Sequence, residues 1–266
     1  MNRKNIEECA EERGEPILSI VVPCYNEKEN IPLILGRFAE VLGKRQIHAI
    51  LVDNGSTDGS DQLLAALMPQ YPFAETVRVP VNRGYGFGIV TGLRVSNSPF
   101  IGWTHADMQT DPSDIIRAWD ILEAMTQEER EVTYLKGRRR KRPLSDSFFT
   151  FGMSVFETLY LRCPLWDINA QPNIFPRSFF ESLNYFPDDF SLDLYIYRMA
   201  RRNGLKVRRF DVNFAERIHG TSKWNDRTWQ AKKKFIVRTI DFSRRLKREA
   251  FDSAVANPNL DGGSGE

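Results

Sequence analysis

The sequence predicts an α/β fold on a mostly parallel central sheet, and three observations carry that prediction. Short apolar, β-branched runs recur between Ile17 and Thr104, segments with apolar residues at helical spacing separate them, and turn-forming residues mark the junctions. Strands alternating with helices imply parallel pairing through right-handed crossovers. Ile17–Val22 reads as the first strand, closed by Pro23, and Glu27 to Leu42 as a helix with Ile31, Ile34, Leu35, Phe38 and Leu42 on one face. Ile47–Val52 is the second strand, followed by Asp53-Asn54-Gly55-Ser56-Thr57-Asp58-Gly59-Ser60 and a helix reaching about Met68. Thr76–Val81 is the third, followed by Arg83-Gly84-Tyr85-Gly86-Phe87-Gly88 and a helix to about Ser96, and Phe100–Thr104 is the fourth.

The alternation then fades. Residues 1–15 form a polar extension and 16–130 a first half carrying the four strands. Residues 131–225 read as a second half built on the same sheet, with a helix at about Leu192–Asn203. Residues 226–251 read as a long helix and 252–266 as a Gly/Ser/Asp tail.

Composition narrows the function classes. At 266 residues, with 41% hydrophobic and 27% charged residues, the chain has the make-up of a globular protein with a substantial core. A net charge of +2 argues against a general polyanion binder. Three widely spaced cysteines, Cys9, Cys24 and Cys163, without a ligand-spaced histidine, argue against a disulfide framework or zinc site and fit a reducing cytosol. The first residues lack an apolar signal core, and nowhere do enough apolar residues run together to span a membrane.

Four loops follow the four strands, and parallel pairing opens all of them on one edge, where open α/β sheets bind ligands. Pro23-Cys24-Tyr25-Asn26-Glu27 offers an aromatic face and a carboxylate to a nucleobase or ribose, and Asp53 ends the second strand as a further acceptor. The glycine turn after Arg83 lets backbone approach a ligand beside a cation. In Ile101-Gly102-Trp103-Thr104-His105-Ala106-Asp107-Met108-Gln109-Thr110-Asp111-Pro112 a hard oxygen ligand, Asp107, follows the fourth strand. A divalent cation held there by one or two side chains keeps open positions for a diphosphate. The plain alternative is an acidic turn in which Asp111 caps a helix opened by Pro112. The glycines follow the third strand at the wrong spacing for a dinucleotide fingerprint, and no Walker loop is present.

In order and spacing, Pro23–Glu27, Val52–Gly59 and Ala106–Pro112 resemble the three successive signatures of family 2 glycosyltransferases. Arg217-Ile218-His219-Gly220-Thr221-Ser222-Lys223-Trp224 is similar to the R-x-x-G-x-S-K block of the polyprenyl- and dolichyl-phosphate sugar synthases within that family. The resemblance spans about Ile17 to Trp224. It implies a GT-A (Rossmann-like) fold, a nucleotide-sugar donor bound by residues 16–130, an acceptor side in 131–225, a divalent cation (Mn²⁺ or Mg²⁺) and inversion at the anomeric carbon. Residue by residue, it places Pro23, Tyr25, Glu27 and Asp53 at the nucleotide; Arg83, the cation of the glycine turn, and Ala106 are further candidates for nucleotide binding. The resemblance places Asp107 and Gln109 at metal and diphosphate, Arg138 after the fifth strand at phosphate, and Arg217, Ser222 and Lys223 in a loop closing on the donor and acceptor phosphates.

The sequence departs from the family pattern at three places. His105 stands where a second metal-site Asp is common; it either ligates, which would suit Mn²⁺, or packs behind the ligand. Asn54 replaces the second acid of an Asp-Asp pair, and Asp167–Asn173 matches the acceptor-side segment poorly. A phosphate acceptor is already an anion and needs no strong base, whereas a sugar hydroxyl needs a carboxylate to take its proton. Asp193 is the expected base in that case, with Asp167 second; the competing reading of Asp193 is an exposed first-turn Asp favoured by the helix dipole. A sugar nucleotidyltransferase would carry a glycine-rich cationic loop after the first strand, which Pro23–Glu27 is not.

Two basic features remain. Arg138-Arg139-Arg140-Lys141-Arg142 lacks interleaved aromatics, which disfavours nucleic acid. In 226–251, Trp229, Phe235, Ile236, Ile240, Phe242 and Leu246 share a face opposite Lys234, Arg238, Arg244, Arg245 and Arg248. Such a helix lies in an anionic membrane interface, or packs its apolar face on the catalytic domain or a partner subunit. The expected setting is cytoplasmic, at the cytosolic face of a membrane, and an oligomer is compatible with the sequence.

Overall fold

A computed structural model describes residues 15–140, 152, 154–213 and 237–248. Strand β1 (Leu18–Cys24) is buried along its whole length apart from a half-buried Pro23. A strand covered on both faces needs apolar residues at every position rather than at alternate ones. Its even-numbered residues Leu18, Ile20 and Val22 face one core cluster, and Val21 faces the other. Next in chain order come α1 (Asn30–Val41), β2 (Ile47–Asn54), α2 (Ser60–Leu67), β3 (Ala74–Val79), α3 (Tyr85–Val95), β4 (Phe100–Trp103), α4 (Ser113–Glu123) and α5 (Gln127–Glu131). The second half adds β5 (Thr133–Arg140), helix α6 at 154–160, β6 (Asn173–Pro176), α7 (Arg177–Glu181), α8 (Ser191–Arg202), β7 (Lys206–Asn213) and helix α9 at 237–248.

These strands form one seven-stranded sheet in the order β3-β2-β1-β4-β6-β5-β7. Every neighbouring pair is parallel except those of β6, which runs antiparallel to β4 and β5. Reversing β6 brings its first residue, Asn173, opposite Trp103 at the carboxyl end of β4. The predicted mostly parallel sheet is therefore present, and its second half is continuous with the first. β3 ends at Val79, earlier than the predicted Val81, because Pro80 has no N–H to give the ladder.

Two cores flank the sheet. Phe38, Ile115, Trp119 and Leu122 from α1 and α4 pack on one face. Leu93 of α3, Ile196 of α8, and Phe242 and Leu246 of α9 pack on the other. The latter contact decides part of the 226–251 question. Where this segment is described, Phe242 and Leu246 of its apolar face pack into the core on this face of the sheet; Trp229, Phe235 and Ile236 lie outside the described residues. Among the described residues no helix is long and apolar enough to cross a membrane.

Candidate active site

The first two loops are laced together. Asn26, in the left-handed region at φ 57°, donates its backbone N–H to Ser56 Oγ (3.0 Å) and accepts from the Thr57 N–H on Oδ1 (2.8 Å). Lys28 N–H reaches Asp58 Oδ2 at 3.1 Å, so the chain after β1 and the chain after β2 form one wall. Pro23 and Tyr25 are half-buried on it, and Glu27 accepts from Asn30 Nδ2 at 2.6 Å. Asp53 is 1% exposed. Its Oδ1 takes the Ser56 N–H (3.0 Å), Arg78 stands 3.7 Å from Oδ2, and that buried oxygen accepts no hydrogen bond from the protein. A buried acceptor without a donor costs free energy unless a ligand supplies one, which suits the nucleoside role expected of it.

Asn54 has a structural job that an aspartate could not do. Its Nδ2 donates to the Gly84 carbonyl (2.9 Å), fastening the glycine turn to β2. Gly84 sits at φ 123°, and a Cβ there would collide with the Asp188 carbonyl; at Gly86 it would meet that of Pro187. The turn therefore admits residues 187–189 at backbone contact, as only glycine allows. Arg83 lies over the Phe87 ring at 4.0 Å and 3.7 Å from Asp188, at the rim of the mouth. Tyr85 stacks on the half-exposed Phe190 with centroids 4.6 Å apart.

The acidic stretch after β4 divides into two functions. Asp107 is 3% exposed, Ala106 is buried beside it, and His105 and Gln109 are half-buried. Asp107 Oδ1 accepts the Gln109 N–H at 3.1 Å around Met108 at φ 59°, and Thr104 and Thr110 close the turn through their hydroxyls at 3.0 Å. Asp111 is used differently: it accepts from the Ser113 N–H (2.7 Å) and from Arg37 Nε (3.0 Å), holding the start of α4. The capping alternative thus describes Asp111, and the ligand reading is left to Asp107. In chemical type, the carboxylate of Asp107, the amide of Gln109 and the imidazole of His105 on this turn fit a divalent cation completed by diphosphate oxygens. Among the described residues no group of three or more His, Cys, Asp or Glu gathers to hold a metal unaided.

Beneath this mouth lies a polar floor that sequence reasoning largely missed. Asp193, expected either as a base or as an exposed helix-start residue, is 2% exposed. The exposed reading is corrected: α8 turns its first-turn carboxylate into the core, where it accepts from Asn173 Nδ2 (3.2 Å) and from the Tyr85 hydroxyl. Burial lifts its carboxyl to about 6, against the attraction of Lys136. Lys136 is itself 0% exposed; its Nζ donates to the Ala170 carbonyl (2.8 Å) and Asn173 Oδ1 (2.7 Å). The one available signal was a lysine within Thr133-Tyr134-Leu135-Lys136-Gly137, the stretch of β5 that precedes its three arginines.

Arg138 was expected beyond the fifth strand, but β5 runs through it, because β7 pairs with β5 as far as Arg140. Its Nε lies 2.5 Å from Asp211, which also binds Arg140 at 2.9 Å, on the exposed side of the sheet edge. Arg139 turns inward to Asp167, donating from its backbone N–H (2.9 Å) and from Nε (2.8 Å). Asp167 is thus engaged by two cations, Arg139 and Arg209 (3.7 Å), a poor arrangement for a proton acceptor. Cys24 is packing, as expected; burial pushes its thiol far up. Arg217, Ser222 and Lys223 lie outside the described residues.

Comparison with known proteins identifies the family and the fold. Polyprenol monophosphomannose synthase of Mycolicibacterium smegmatis is 28% identical over 215 residues, 77% of this chain and 79% of that protein. An undecaprenyl-phosphate 4-deoxy-4-formamido-L-arabinose transferase of Yersinia enterocolitica is 34% identical over 110 residues, 40% of this chain but only 33% of its own length. Among solved structures, glucosyl-3-phosphoglycerate synthase of Mycobacterium tuberculosis with Mn²⁺ and UDP-glucose superposes with a TM-score of 0.63 at 18% identity, covering 90% of this chain and 82% of that one. A Pyrobaculum calidifontis mannosyltransferase with GDP-mannose and Mn²⁺ gives 0.58 at 20% identity, covering 82% and 59%. Both show the GT-A fold. Residues 19–162 match the family model described as Glycosyl transferase family 2. The chain therefore belongs to glycosyl transferase family 2 and is a glycosyltransferase.

Proposed function

We propose that this enzyme moves a sugar, with inversion, from a nucleotide sugar to a polyprenyl phosphate at the cytosolic face of a membrane. The observation that carries the reading is the alignment with a polyprenol monophosphomannose synthase across 77% of the chain, acceptor half included. Pro23, Tyr25, Glu27 and Asp53 hold the nucleoside, with Arg83 and Ala106 at its edge. Asp107 and Gln109, flanked by His105, hold a divalent cation, Mn²⁺ or Mg²⁺, which when bound neutralises charge developing on the leaving diphosphate. Arg217, Ser222 and Lys223 are assigned to the donor and acceptor phosphates, as donors that meet charge building in the transition state. Arg138 and Asp167 stand on the acceptor side, Arg138 at the exposed edge of the sheet. The acceptor phosphate attacks the anomeric carbon opposite the leaving group, and no base is needed because it is already ionised.

The sealed position of Asp193 supports a phosphate acceptor: its carboxylate faces Asn173 and Tyr85 and not an open cleft. Membrane contact is assigned to the basic face of α9. Its apolar face is packed, so Arg244, Arg245 and Arg248 would meet anionic headgroups electrostatically, at about 1 kcal/mol per cation, without insertion.

The test offers a panel of nucleotide sugars and Mn²⁺ with short-chain polyprenyl phosphate in detergent, and measures labelled glycolipid. Transfer, with Asp193→Asn retaining more than about a tenth of the rate, is expected. No transfer to polyprenyl phosphate, together with transfer to a glycan hydroxyl that Asp193→Asn lowers by a general-base-sized factor of about 10²–10⁴, would establish a glycan hydroxyl as acceptor instead.

A further inference from the structure

The acceptor-side segment 167–173 has no regular structure before β6, yet it is fixed at every turn. Arg139 and Arg209 hold Asp167, the Gly137 N–H donates to the Pro172 carbonyl (2.9 Å), and Gln171 bonds the Tyr85 hydroxyl. In the middle, Lys136 bridges the Ala170 carbonyl and the Asn173 side chain. Lysine is among the residues least often fully buried, and its long stem normally carries the ammonium to water. An apolar side chain of that volume would fill the space without desolvating a charge. Packing therefore does not explain this lysine, and its partners do. Asn173 Oδ1 takes both Lys136 Nζ and the Tyr134 hydroxyl (2.5 Å), which fixes the amide so that Nδ2 points at Asp193. One ammonium thus joins the middle of the segment to its end and, together with the Tyr134 hydroxyl, sets the direction of the amide that meets Asp193.

We propose that Lys136 is a positioning residue for the acceptor: it clamps residues 167–173 at the carboxyl edge of β4, so that acceptor binding depends on it and donor binding does not. The acceptor part rests on the transferase reading above; the clamp itself does not. Charged groups face Lys136 from each surrounding element: Asp193 from α8, Arg209 from β7, Asp167 from the segment and Arg139 from β5. The Tyr197 ring lies 5.4 Å away and Tyr134 shares its Asn173 acceptor. Burial pulls the ammonium down to about 7, against the attraction of Asp193. The clamp accordingly weakens as pH rises through neutrality.

Hydrogen exchange by mass spectrometry on the full chain tests the clamp, with residues 53–60 as internal reference. In Lys136→Met the amides of 167–171 are expected to exchange about 10-fold faster or more, the equivalent of one lost buried charge-assisted bond, with the reference unchanged. In the unmutated chain, exchange of 167–171 relative to the reference is expected to increase between about pH 6 and about pH 9. The acceptor KM of Lys136→Met should rise about 10-fold or more, while nucleoside diphosphate affinity with Mn²⁺ changes less than about twofold. Because the single change strands Asp193, the charge-balanced Lys136→Met/Asp193→Asn pair is measured for exchange alongside it. Unaltered exchange of 167–171 in whichever variant folds, or equal losses of donor and acceptor affinity, overturns the proposal. A parent enzyme that transfers to no polyprenyl phosphate overturns the functional reading alone, and the exchange comparison still decides the clamp.

Discussion

The two halves of the sheet hold their polar groups in opposite ways. Around the mouths of β1 and β2, short side chains such as Asn26, Ser56 and Asp58 bond neighbouring backbone N–H groups, half-exposed and replaceable. Around β5 and β6, Lys136, Asp193 and Asn173 are at most 2% exposed and satisfy one another, and Glu157 on α6, equally buried, accepts from a distant helix on one oxygen and from nothing on the other. The first arrangement leaves Asp53 with an unused buried oxygen for a ligand; the second leaves charges that must be balanced by protein. A donor cleft made of turn chemistry can be read and altered locally. An acceptor side made of buried charges is coupled, and changing one member strands another.

The comparison can be broken most severely at the donor edge. Asp107→Ala is expected to lower transfer by about 10³-fold or more, on the scale of lost electrostatic stabilisation, and to erase the Mn²⁺-dependent part of nucleoside diphosphate binding while melting changes little. Calorimetry with and without Mn²⁺ checks it, and an unchanged Mn²⁺ effect removes the metal assignment. Next in size, Arg217→Ala and Lys223→Ala should each lower kcat by about 10²–10³-fold and donor affinity much less, read from initial rates against donor titrations. Equal small effects on both would make that loop structural.

Glu157 sharpens the contrast from the other side. Buried on α6 and accepting from Ser243 of α9 at 2.7 Å, its carboxyl is lifted by desolvation to about 7 from 4.5, the Ser243 bond opposing. The proton is favoured in the folded state. The stability it provides is present in full below about pH 4.5 and is lost as pH rises to about 7. Glu157→Gln should flatten that dependence and be the more stable protein above pH 7, by at most about 3 kcal/mol; denaturant midpoints across pH decide it. The smallest effect is expected at Asn26→Ala, which frees the Thr57 N–H at an exposed site. A cost of about 1 kcal/mol and a several-fold loss of donor affinity are anticipated. A stability loss as large as that of Lys136→Met would dissolve the distinction between the halves.

The donor half was legible because each of its features is local. β1 and β2 announce themselves as apolar runs, Asp53 and Asp107 follow their strands directly, and parallel pairing then brings their loops together. The acceptor half was not. Asp193 reads equally well as an exposed helix-start acid, and only the packing of α8 against β5 and β6 turns it inward. Arg138 and Arg139 are adjacent and identical in type, yet strand alternation sends one to Asp211 at the edge and the other to Asp167 inside.

By itself the sequence determined the order of the first four strands and their helices, the family, and the carboxylates that end β2 and follow β4. These depend on hydrophobic period and turn chemistry, which act over a few residues. The reversal of β6, the burial of Lys136 against Asp193 and the seating of α9 on the catalytic domain were decided only in the tertiary structure. Each depends on residues tens of positions apart meeting in a low-dielectric interior, where what a charge costs is set by partners that no local pattern names.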